Sequence, residues 1–451
     1  LIPVPSRALF LRETPFPICR MRKMVVYYWI TVICRQLPGR EFRRCFCFSA
    51  RNGKGIVMAI EVSYIIITPY SLLKSRTGGI IARLMSRTDL EFIGAQVLAF
   101  TPEVTEQYAR SLEAMEDAKE TGKMLADYVR DNFPPREDGR KERTLMLLFR
   151  GEDACRKLTE ITGRLSPHSP KSISAGETLR DTYADVVEDK ENPAIVRYFE
   201  PAVLTPPNRR EALTKLKIFA NFAASAPNLI DNSLGSGPND ERTLVIIKPD
   251  NWRCPSSRPG NIIDMLSRTG LRIVGCKVHR MSVNDALEFY GSVQNALRSK
   301  LAPKIAAQAK ELFEEKFGIT LPENSVESLT QSVGIPFADD QFSQLIEFMS
   351  GRRPEECTEE EKKLQNAQAK CLVLIYEGPN AIAKIRSVLG PTDPSKAPGG
   401  TVRRDFGSNV MVNTAHASDA PASVEREMKI IRINQNSMAA RISEYLEEVG
   451  C

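Results

Sequence analysis

An internal repeat constrains the fold more than any other feature of this chain, because a repeated block of sequence folds into repeated structural units. Residues 62–108 begin VSYIIITPYSLLKSRTGGIIARLMSRTDLEFIGAQV, and residues 243–290 begin TLVIIKPDNWRCPSSRPGNIIDMLSRTGLRIVGCKV. The Ser-Arg-Thr tripeptides centred on Arg87 and Arg268 align with an offset of 181 residues. We interpret the two blocks as tandem copies of one domain. Residues 223–240 between them are rich in Ser, Asn, Gly and Pro, which predicts a linker.

Both copies show the same coarse order of apolar patterns, and the second copy shows it more clearly. A short apolar run predicts a buried strand, the next stretch has a helical apolar stripe, and an alternating stretch predicts another strand. The elements predicted for this copy are 244–247, 261–268, 271–278, 286–293, 371–378, 379–390 and 422–432. A final strand is expected near Asn409 to Val412 or after the last helix. The order βαββαβ predicts a ferredoxin-like α+β domain in two tandem copies.

Two stretches of the second copy exceed a minimal version of this fold. Residues 294–334 include a helical part from Ile305 to Phe317, and residues 352–370 are highly charged. We interpret both as surface insertions, which loops tolerate at low entropic cost. The predicted organisation is listed from the N-terminus: a basic extension (1–57), a degenerate domain (58–222), a linker (223–240) and a catalytic domain (241–451).

The charge of the chain is concentrated at its beginning. The net charge is +6, but residues 1–57 hold eleven Lys or Arg and two Asp or Glu, so the remainder carries −3. Bulk charge therefore does not indicate a nucleic-acid partner. We favour a disordered or non-functional extension, with translation beginning at Met58, and a transit peptide is the alternative.

Composition also narrows the expected compartment. The ten cysteines contain no CxxC pair, which favours reduced thiols in a cytoplasmic protein. An organelle is the alternative if the basic segment is a transit peptide. No apolar run reaches the roughly 18 residues that a membrane span requires, so no membrane partner is expected.

Three histidines are the candidates for nucleophilic chemistry. His168 lies in a loop pattern, SPHSP, and His279 follows a predicted strand, where we expect a surface residue. His416 lies among small residues in NTAHASDAP, with Ser418 and Glu427 close in sequence. An unhindered imidazole can accept a phosphoryl group at neutral pH and release it, so His416 is the strongest candidate.

Three cations could hold phosphate groups near such a nucleophile. They are Lys248 at a strand end, Arg386 on a helix and Arg403 in GGTVRRDFG. Each alone resembles a solvated surface charge, but arginine's planar fork matches phosphate oxygens two at a time. No GxxxxGKS or GxxxxGKT motif is present, which excludes a P-loop.

Four segments together resemble the nucleoside diphosphate kinase family. They are IIKPD (246–250), IRSVLGPTDP (385–394), PGGTVRRDFG (398–407) and NTAHASDAPASVERE (413–427). The spacing of 30 residues between Arg386 and His416 agrees with the uninterrupted C-terminal core of that family. The resemblance covers nearly all of residues 243–432 except the insertions.

The resemblance implies a set of catalytic residues in the second copy. His416 matches the histidine that becomes phosphorylated, and Lys248 matches the lysine that reaches the terminal phosphate and the ribose. Tyr290 matches the tyrosine near that phosphate. Ser418 and Glu427 match the pair that positions the histidine.

The resemblance also implies a set of nucleotide-binding residues, to which Lys248 contributes. Arg386, Thr392 and Arg403 match the phosphate-binding set, and Asn413 matches the residue that meets the sugar hydroxyl. Phe337 matches the aromatic residue that stacks on the base, with Val410 on the other face. Stacking explains low base selectivity, because every base has a π-face. The chain departs from the family pattern at three positions. The family usually has Gly, Arg and Gly where this chain has Met411, Val412 and Ala417.

The first copy resembles the family only in outline. Thr68 stands where Lys248 stands in the second copy, Leu204 stands at the position of His416, and Thr159 matches Arg386. Of the polar set, the residues that persist are Tyr108 and Arg180. We therefore expect the first copy to be inert and to have a structural or interface role.

The implied activity is ping-pong transfer of a γ-phosphoryl group between nucleoside triphosphates and diphosphates, with Mg²⁺ carried on the nucleotide phosphates. We expect an intrachain pseudo-dimer of the two copies, with a higher oligomer left open. The rival interpretation is a catalytically silent nucleotide-binding or scaffold protein of the same fold. A nucleic-acid-binding ferredoxin-like module is disfavoured, because the strands lack basic-aromatic patterns.

Overall fold

The structure is a computed structural model that describes residues 60–116, 119–165, 176–188, 196–233, 237 and 239–451. The predicted extension 1–57 and His168 lie outside the described residues. Below, the first half means the described residues up to 233, and the second half means residues 239–451. No helix in the described ranges is long and apolar enough to cross a membrane.

The first half is built around a four-stranded antiparallel sheet. Its strands follow long apolar runs such as YIII in the first strand, where every residue from Val62 to Ile67 is buried. The strand order is β2-β3-β1-β6, and β4 and β5 form a separate hairpin. The strands are β1 (Ile60–Ile67), β2 (Glu91–Leu98), β3 (Thr144–Glu152), β4 (Asp185–Glu188), β5 (Val196–Glu200) and β6 (Val203–Leu204).

Helices of the first half cover both faces of this sheet. Several begin at polar N-cap residues, such as Thr101 and Asn208, whose side chains accept from backbone N–H groups three residues on. The helices are α1 (Pro69–Leu73), α2 (Thr77–Arg87), α3 (Pro102–Glu113), α4 (Lys119–Asn132), α5 (Ala154–Thr162), α6 (Leu179–Tyr183) and α7 (Arg209–Ser225).

The second half repeats this strand arrangement with longer elements. Its antiparallel sheet has the order β10-β7-β9-β8, in which each strand corresponds to its counterpart in β6-β1-β3-β2. The strands are β7 (Asp240–Ile247), β8 (Arg272–Ser282), β9 (Gln365–Pro379) and β10 (Ala415–Ala417). The predicted α+β class is therefore confirmed, and the strands of both four-stranded sheets pair in antiparallel fashion. The final strand lies at neither position expected from the sequence.

Helices of the second half include those of the predicted insertions. A capping box between Ser282 and Asp285 begins the helix that follows β8. The helices are α8 (Arg258–Ser267), α9 (Val283–Lys300), α10 (Ala302–Phe317), α11 (Ser325–Leu329), α12 (Ile335–Ser350), α13 (Ala381–Leu389), α14 (Val402–Phe406), α15 (Pro421–Ile430) and α16 (Met438–Glu448). A π-helical turn, Thr330–Gly334, joins α11 to α12.

The two halves share one apolar core at the crossing of α2 and α8. Ile80 and Leu84 of the first half and Ile262 and Leu266 of the second half belong to the same buried cluster. A Cβ placed on Gly260 would lie 2.2 Å from the backbone N of Ala82, so the helices approach to backbone distance. This packing requires glycine at the crossing.

Polar contacts between the halves are reciprocal. Arg143 Nη1 donates a hydrogen bond of 2.6 Å to Ile273 O, and Lys370 Nζ donates one of 3.2 Å to Phe92 O. Phe92 and Ile273 are separated by the repeat offset. Arg143, just before β3, corresponds in strand register to Lys370 within β9. Each half therefore donates to the same strand position of the other half.

The C-terminal helix packs against the first half. Met438, Ile442, Tyr445 and Leu446 of α16 lie in the same buried cluster as Tyr64 of β1. Before α16, the Asn436 side-chain amide donates to carbonyls of both halves, to Ala95 O at 2.9 Å and to Cys276 O at 3.2 Å. The last helix of the predicted 241–451 domain thus completes the core of the other half.

Several predicted boundaries are wrong. The linker predicted for 223–240 is shorter, because α7 continues to Ser225 and β7 begins at Asp240. The insertion predicted for 294–334 begins inside α9, and the end of the one predicted for 352–370 belongs to β9. His279 was expected on the surface, but it is only 4% exposed.

We predict that Gly260→Ala destabilises the protein. The new methyl group would meet the backbone of α2, and relieving such overpacking costs about 1–3 kcal/mol. Urea unfolding should show a lower midpoint than for the unsubstituted protein.

Gly291→Ala is the matched control, because the new Cβ would meet no neighbouring element within 4 Å and the site is inside α9. This change should stabilise the protein by about 0.5–1 kcal/mol through helix propensity. Equal unfolding midpoints for the two variants would contradict the close crossing of α2 and α8.

Candidate active site

The backbone around His416 is held in an uncommon conformation. Thr414, two residues before it, has a φ of 75°, which β-branched residues rarely adopt. The Thr414 hydroxyl donates to Phe406 O at 3.0 Å, and its carbonyl accepts from the Lys248 N–H at 2.9 Å and from Asn251 Nδ2 at 2.9 Å. These contacts fix the point at which the chain enters β10 and so fix the position of His416.

The His416 imidazole is anchored at one nitrogen. Its Nε2 lies 2.9 Å from Oε2 of Glu427, and the Ser418 hydroxyl donates to the same oxygen at 2.7 Å. The Glu427 residue is 3% exposed and the Ser418 residue 1%, whereas the histidine side chain is 22% exposed. With Nε2 donating to the carboxylate, the lone pair lies on Nδ1, which is the tautomer a nucleophile needs.

Two aromatic rings pack edge-on against the imidazole. The ring centroids of Phe289 and Tyr290 lie 5.0 and 6.1 Å from that of His416. The Tyr290 hydroxyl is buried and has no hydrogen-bond partner among the described residues. Burial raises the pKa of Tyr290 well above its usual value, so the hydroxyl remains a donor. A group bound beside His416 could accept this unused hydrogen bond.

A buried lysine and a partly buried arginine lie close to this histidine in the fold. Lys248 is 5% exposed, and its Nζ donates to Asn413 Oδ1 at 2.7 Å. Burial and the charge of Arg403 lower the pKa of Lys248 to about 8. Burial and the charge of the exposed Arg386 lower the pKa of Arg403 to about 10. The positive charges are thus close enough to repel each other, an arrangement that an incoming polyanion would relieve.

The Arg403 guanidinium is fixed by the backbone. It donates to Gly390 O at 2.8 Å and to Ala415 O at 3.1 Å, while its buried Nε has no hydrogen-bond partner in the described ranges. The fork is therefore held rigidly beside His416. Its Nε–H is a buried donor that the protein leaves unused.

Asn413 gathers the loop segments that border the site. Its side-chain amide donates to Thr392 O at 3.1 Å and to Val410 O at 2.8 Å. The Asn413 residue is 3% exposed, whereas Val410 is 57% exposed. The structure therefore brings Thr392 and Val410 together with the lysine and the histidine.

Phe337 lies apart from this group. It is 40% exposed and sits in the first turn of α12. Phe348, near the end of the same helix, has its ring 5.8 Å from Lys248 Nζ and 5.7 Å from the Arg253 guanidinium. With a rise of about 1.5 Å per residue, the two phenylalanines are roughly 16 Å apart along the helix. Sequence reasoning missed Phe348, because an apolar residue on a helical stripe looks like any core residue.

The first half repeats the scaffold of this site. The Arg180 guanidinium donates to Gly163 O at 2.8 Å and to Val203 O at 3.2 Å, as Arg403 does at the corresponding positions. Leu204 pairs with Ile66 of β1, just as His416 pairs with Ile246 of β7. An apolar side chain thus occupies the register position of the histidine.

A carboxylate lies beside the lysine position of the first half. The hydroxyls of Thr68 and Tyr128 donate to the two oxygens of Glu200 at 2.8 and 2.5 Å. Glu200 is 1% exposed, and burial raises its pKa. Where the second half gathers cations, the first half buries an acid, and a phosphate group would be repelled.

Comparison with known proteins fits this geometry. The chain is 32% identical over 193 residues to the nucleoside diphosphate kinase of Staphylothermus marinus. The aligned residues cover 43% of this chain and 93% of that protein. The chain belongs to the nucleoside diphosphate kinase family. It is also 30% identical to the nucleoside diphosphate kinase of Symbiobacterium thermophilum, over 42% of this chain and 85% of that protein.

The nucleoside diphosphate kinase family model matches residues 360–436. That range contains the predicted site residues except Lys248, Tyr290 and Phe337. Among solved structures, an NDP kinase from Pyrobaculum aerophilum is 26% identical, with a TM-score of 0.30, over 42% of this chain and 94% of that one. A Halobacterium salinarum nucleoside diphosphate kinase in complex with CDP is 25% identical, with a TM-score of 0.26, over 42% of this chain and 86% of that one.

We predict that nucleotide affinity depends on pH through Lys248. Its pKa of about 8 means that the ammonium is charged below that pH and loses its proton above it. ADP binding measured calorimetrically should therefore weaken as pH rises through 8. Above that pH, Lys248 must be protonated again when the phosphate binds, which makes the binding free energy less favourable. The full loss of one charge-assisted hydrogen bond corresponds to about 1.5–3 kcal/mol.

Two variants test the origin of this pH dependence. Lys248→Arg keeps its charge throughout the range, so its affinity should show no inflection near pH 8 and should stay flat up to about pH 9, below the pKa of Arg403. Lys248→Ala should bind ADP more weakly at pH 7 and also show no inflection near pH 8. An unchanged inflection in Lys248→Ala would show that another group titrates.

Proposed function

We propose that the second half is a nucleoside diphosphate kinase that carries the phosphoryl group on His416. The observation that carries the proposal is the shared Glu427 oxygen, which binds both His416 Nε2 and the Ser418 hydroxyl. This arrangement holds the imidazole in one orientation and leaves Nδ1 to attack. The substrates are nucleoside triphosphates and diphosphates.

The proposed reaction has two balanced steps. In the first, the Nδ1 lone pair of His416 forms an N–P bond with the γ-phosphorus. The bond between that phosphorus and the β–γ bridging oxygen breaks, and the nucleoside diphosphate leaves with its electron pair. In the second, a terminal phosphate oxygen of another nucleoside diphosphate attacks the phosphohistidine, and the N–P bond breaks back to Nδ1.

Positioning and charge account for most of the catalysis. Lys248, Arg386 and Arg403 supply positive charge to the phosphates, and the unused Nε of Arg403 supplies a donor. The unpartnered Tyr290 hydroxyl can donate to the group on the histidine. Asn413 is proposed to reach the sugar hydroxyl, and Val410 one face of the base, as the family resemblance implies. Phe337, which the resemblance assigned to the other face, lies apart from this group and is not proposed for that role.

Mg²⁺ is proposed to bind with the nucleotide rather than in a protein cage. Within the described ranges, no group of three or more His, Cys, Asp or Glu side chains is placed to hold a metal ion. Phosphate oxygens and water provide the oxygen ligands that Mg²⁺ prefers, and the ion would neutralise phosphate charge. The protein residues that face the phosphates are cations, which complement the metal and do not ligate it.

We predict that His416→Ala abolishes both the phosphoenzyme and nucleotide exchange. Incubation with γ-labelled ATP followed by acid treatment should give acid-labile label in the unsubstituted protein and none in the variant. His168→Ala is the control and should label normally. Label of normal intensity on His416→Ala would mean that another residue carries the phosphoryl group.

We further propose that the two halves are tandem copies forming an intrachain pseudo-dimer with one live site. The reciprocal hydrogen bonds of Arg143 and Lys370 and the shared core at α2 and α8 support this arrangement. We assign the silent role, considered above for the whole protein, to the first half alone. There Leu204 stands in place of the nucleophile, and Thr68, bonded to Glu200, stands in place of the lysine.

One phosphate per chain is therefore the expected maximum. Leu204→His should not add a second one, because Thr68 and Glu200 still occupy the lysine position. The label-to-protein ratio of the full chain measures both quantities. A ratio of two in either protein would refute the proposed single live site.

A further inference from the structure

The junction of the two halves contains the same cavity twice. One cavity, of about 210 Å³, is lined by Leu72, Arg143, Arg272, Ile273 and Tyr376 among others, and we call it the Arg143 cavity. The other, of about 280 Å³, is lined by the equivalent residues of the opposite halves, and we call it the Lys370 cavity. Its lining includes Trp252, Glu91, Phe92 and Lys370, which correspond to Leu72, Arg272, Ile273 and Arg143 of the first cavity.

The Arg143 cavity contains donors that the protein leaves unused. The Nε and Nη2 atoms of Arg272 are buried and have no hydrogen-bond partner among the described residues. The carboxylates of Asp240 and Glu377 lie 3.7 and 3.5 Å from Nη2, which is too far for a good hydrogen bond. The Tyr376 hydroxyl, in a residue that is 1% exposed, also has no partner there.

Like charges meet at this cavity. Arg143 is 8% exposed, and its Nη1 donates a hydrogen bond to Ile273 O. Burial and the charge of Arg272 lower the pKa of Arg143 to about 10. Asp240 and Glu377 offset part of the positive charge of Arg272, but the buried donors without hydrogen-bond partners remain costly. An oxyanion that accepts from these donors would remove that cost.

The Lys370 cavity shows that the scaffold does not require this arrangement. Glu91 occupies the position of Arg272, and Phe149 occupies the position of Tyr376. The second equivalence follows from strand register, because Phe149 pairs with Phe92 as Tyr376 pairs with Ile273. The Lys370 cavity therefore has an acid where the Arg143 cavity has its second arginine, and Phe149, which replaces the phenol in strand register, is not among the residues that line it.

We infer that the Arg143 cavity binds a small oxyanion, a carboxylate or a phosphate, that carries a compact apolar group. Arg272 and Tyr376 donate to the oxyanion, whose planar or tetrahedral oxygens suit a guanidinium fork. Leu72, Ile263 and Leu271, which also line the cavity, cover the apolar group. The site is separate from His416 and does not depend on the proposed kinase activity.

The test is calorimetric titration of the full chain with phenyl phosphate and with benzoate, in the presence of saturating ADP to occupy the nucleotide site. We expect saturable binding of at least one probe, and the stronger one identifies the class of oxyanion. Inorganic phosphate is the reference without an apolar group and should bind more weakly than phenyl phosphate. Equal affinity for inorganic phosphate and phenyl phosphate would overturn the proposal that Leu72, Ile263 and Leu271 cover an apolar group.

Variants locate the binding. Arg272→Gln should weaken the better probe about tenfold to a hundredfold, and Tyr376→Phe about tenfold or less, as expected for charged and neutral hydrogen bonds. Glu91→Gln, in the Lys370 cavity, is the matched control and should leave affinity unchanged. Thermal unfolding of each variant separates lost binding from lost folding.

Three results would overturn the inference. They are the absence of saturable binding to the folded protein, equal affinity in the unsubstituted protein and Arg272→Gln, and displacement of the probe by ADP. The last result would place the probe in the nucleotide site. Because none of these measurements uses phosphoryl transfer, failure here is distinguishable from failure of the proposed kinase activity.

Discussion

The backbone-to-backbone approach of α2 and α8 is the contact on which the rest of the structure depends. Glycine at the crossing removes the side chains that would separate the helices, and the apolar residues around it merge the two halves into one core. The same approach aligns the strand positions at which Arg143 and Lys370 donate across the junction. Neither sheet buries its inner face alone, so the site of the second half is supported by a partner carried on the same chain.

Charge distinguishes two otherwise similar scaffolds. In the second half, Lys248 is buried and Arg403 partly buried, neither has a carboxylate partner at hydrogen-bond distance in the described ranges, and desolvation lowers the pKa of both groups. The free protein bears this electrostatic cost, and a polyanionic ligand offsets it. In the first half, Glu200 occupies the corresponding region, and the hydroxyls of Thr68 and Tyr128 donate to its carboxylate. These hydrogen bonds satisfy the carboxylate without a ligand. The backbone that presents Arg180 or Arg403 is the same in both, so the two halves differ in the chemistry they can perform more than in shape.

The sequence predicted the parts of this arrangement that depend on local pattern. The apolar periodicity of β7, α8 and β8, the small residues around His416, and the neighbouring Ser418 and Glu427 are visible within short windows. Long-range features were not predictable from such windows. β10 has three residues and exists because it pairs with β7, far away in sequence. Phe348 lies beside Lys248 only because α12 crosses back over the sheet, and α16 packs on the opposite half.

The position of α16 has a consequence for how the chain is made. Synthesis proceeds from the N-terminus, and domains usually fold as they emerge. Here the core around Tyr64 contains residues from Met438 to Leu446, so the half synthesised first cannot complete its packing until the final turns leave the ribosome. Premature termination shortly before α16 would spare every residue proposed for phosphoryl transfer and yet expose the apolar surface of the other half. Such a chain would keep all of the proposed active-site residues and yet be recognised by cellular quality control through the exposed apolar core of its other half.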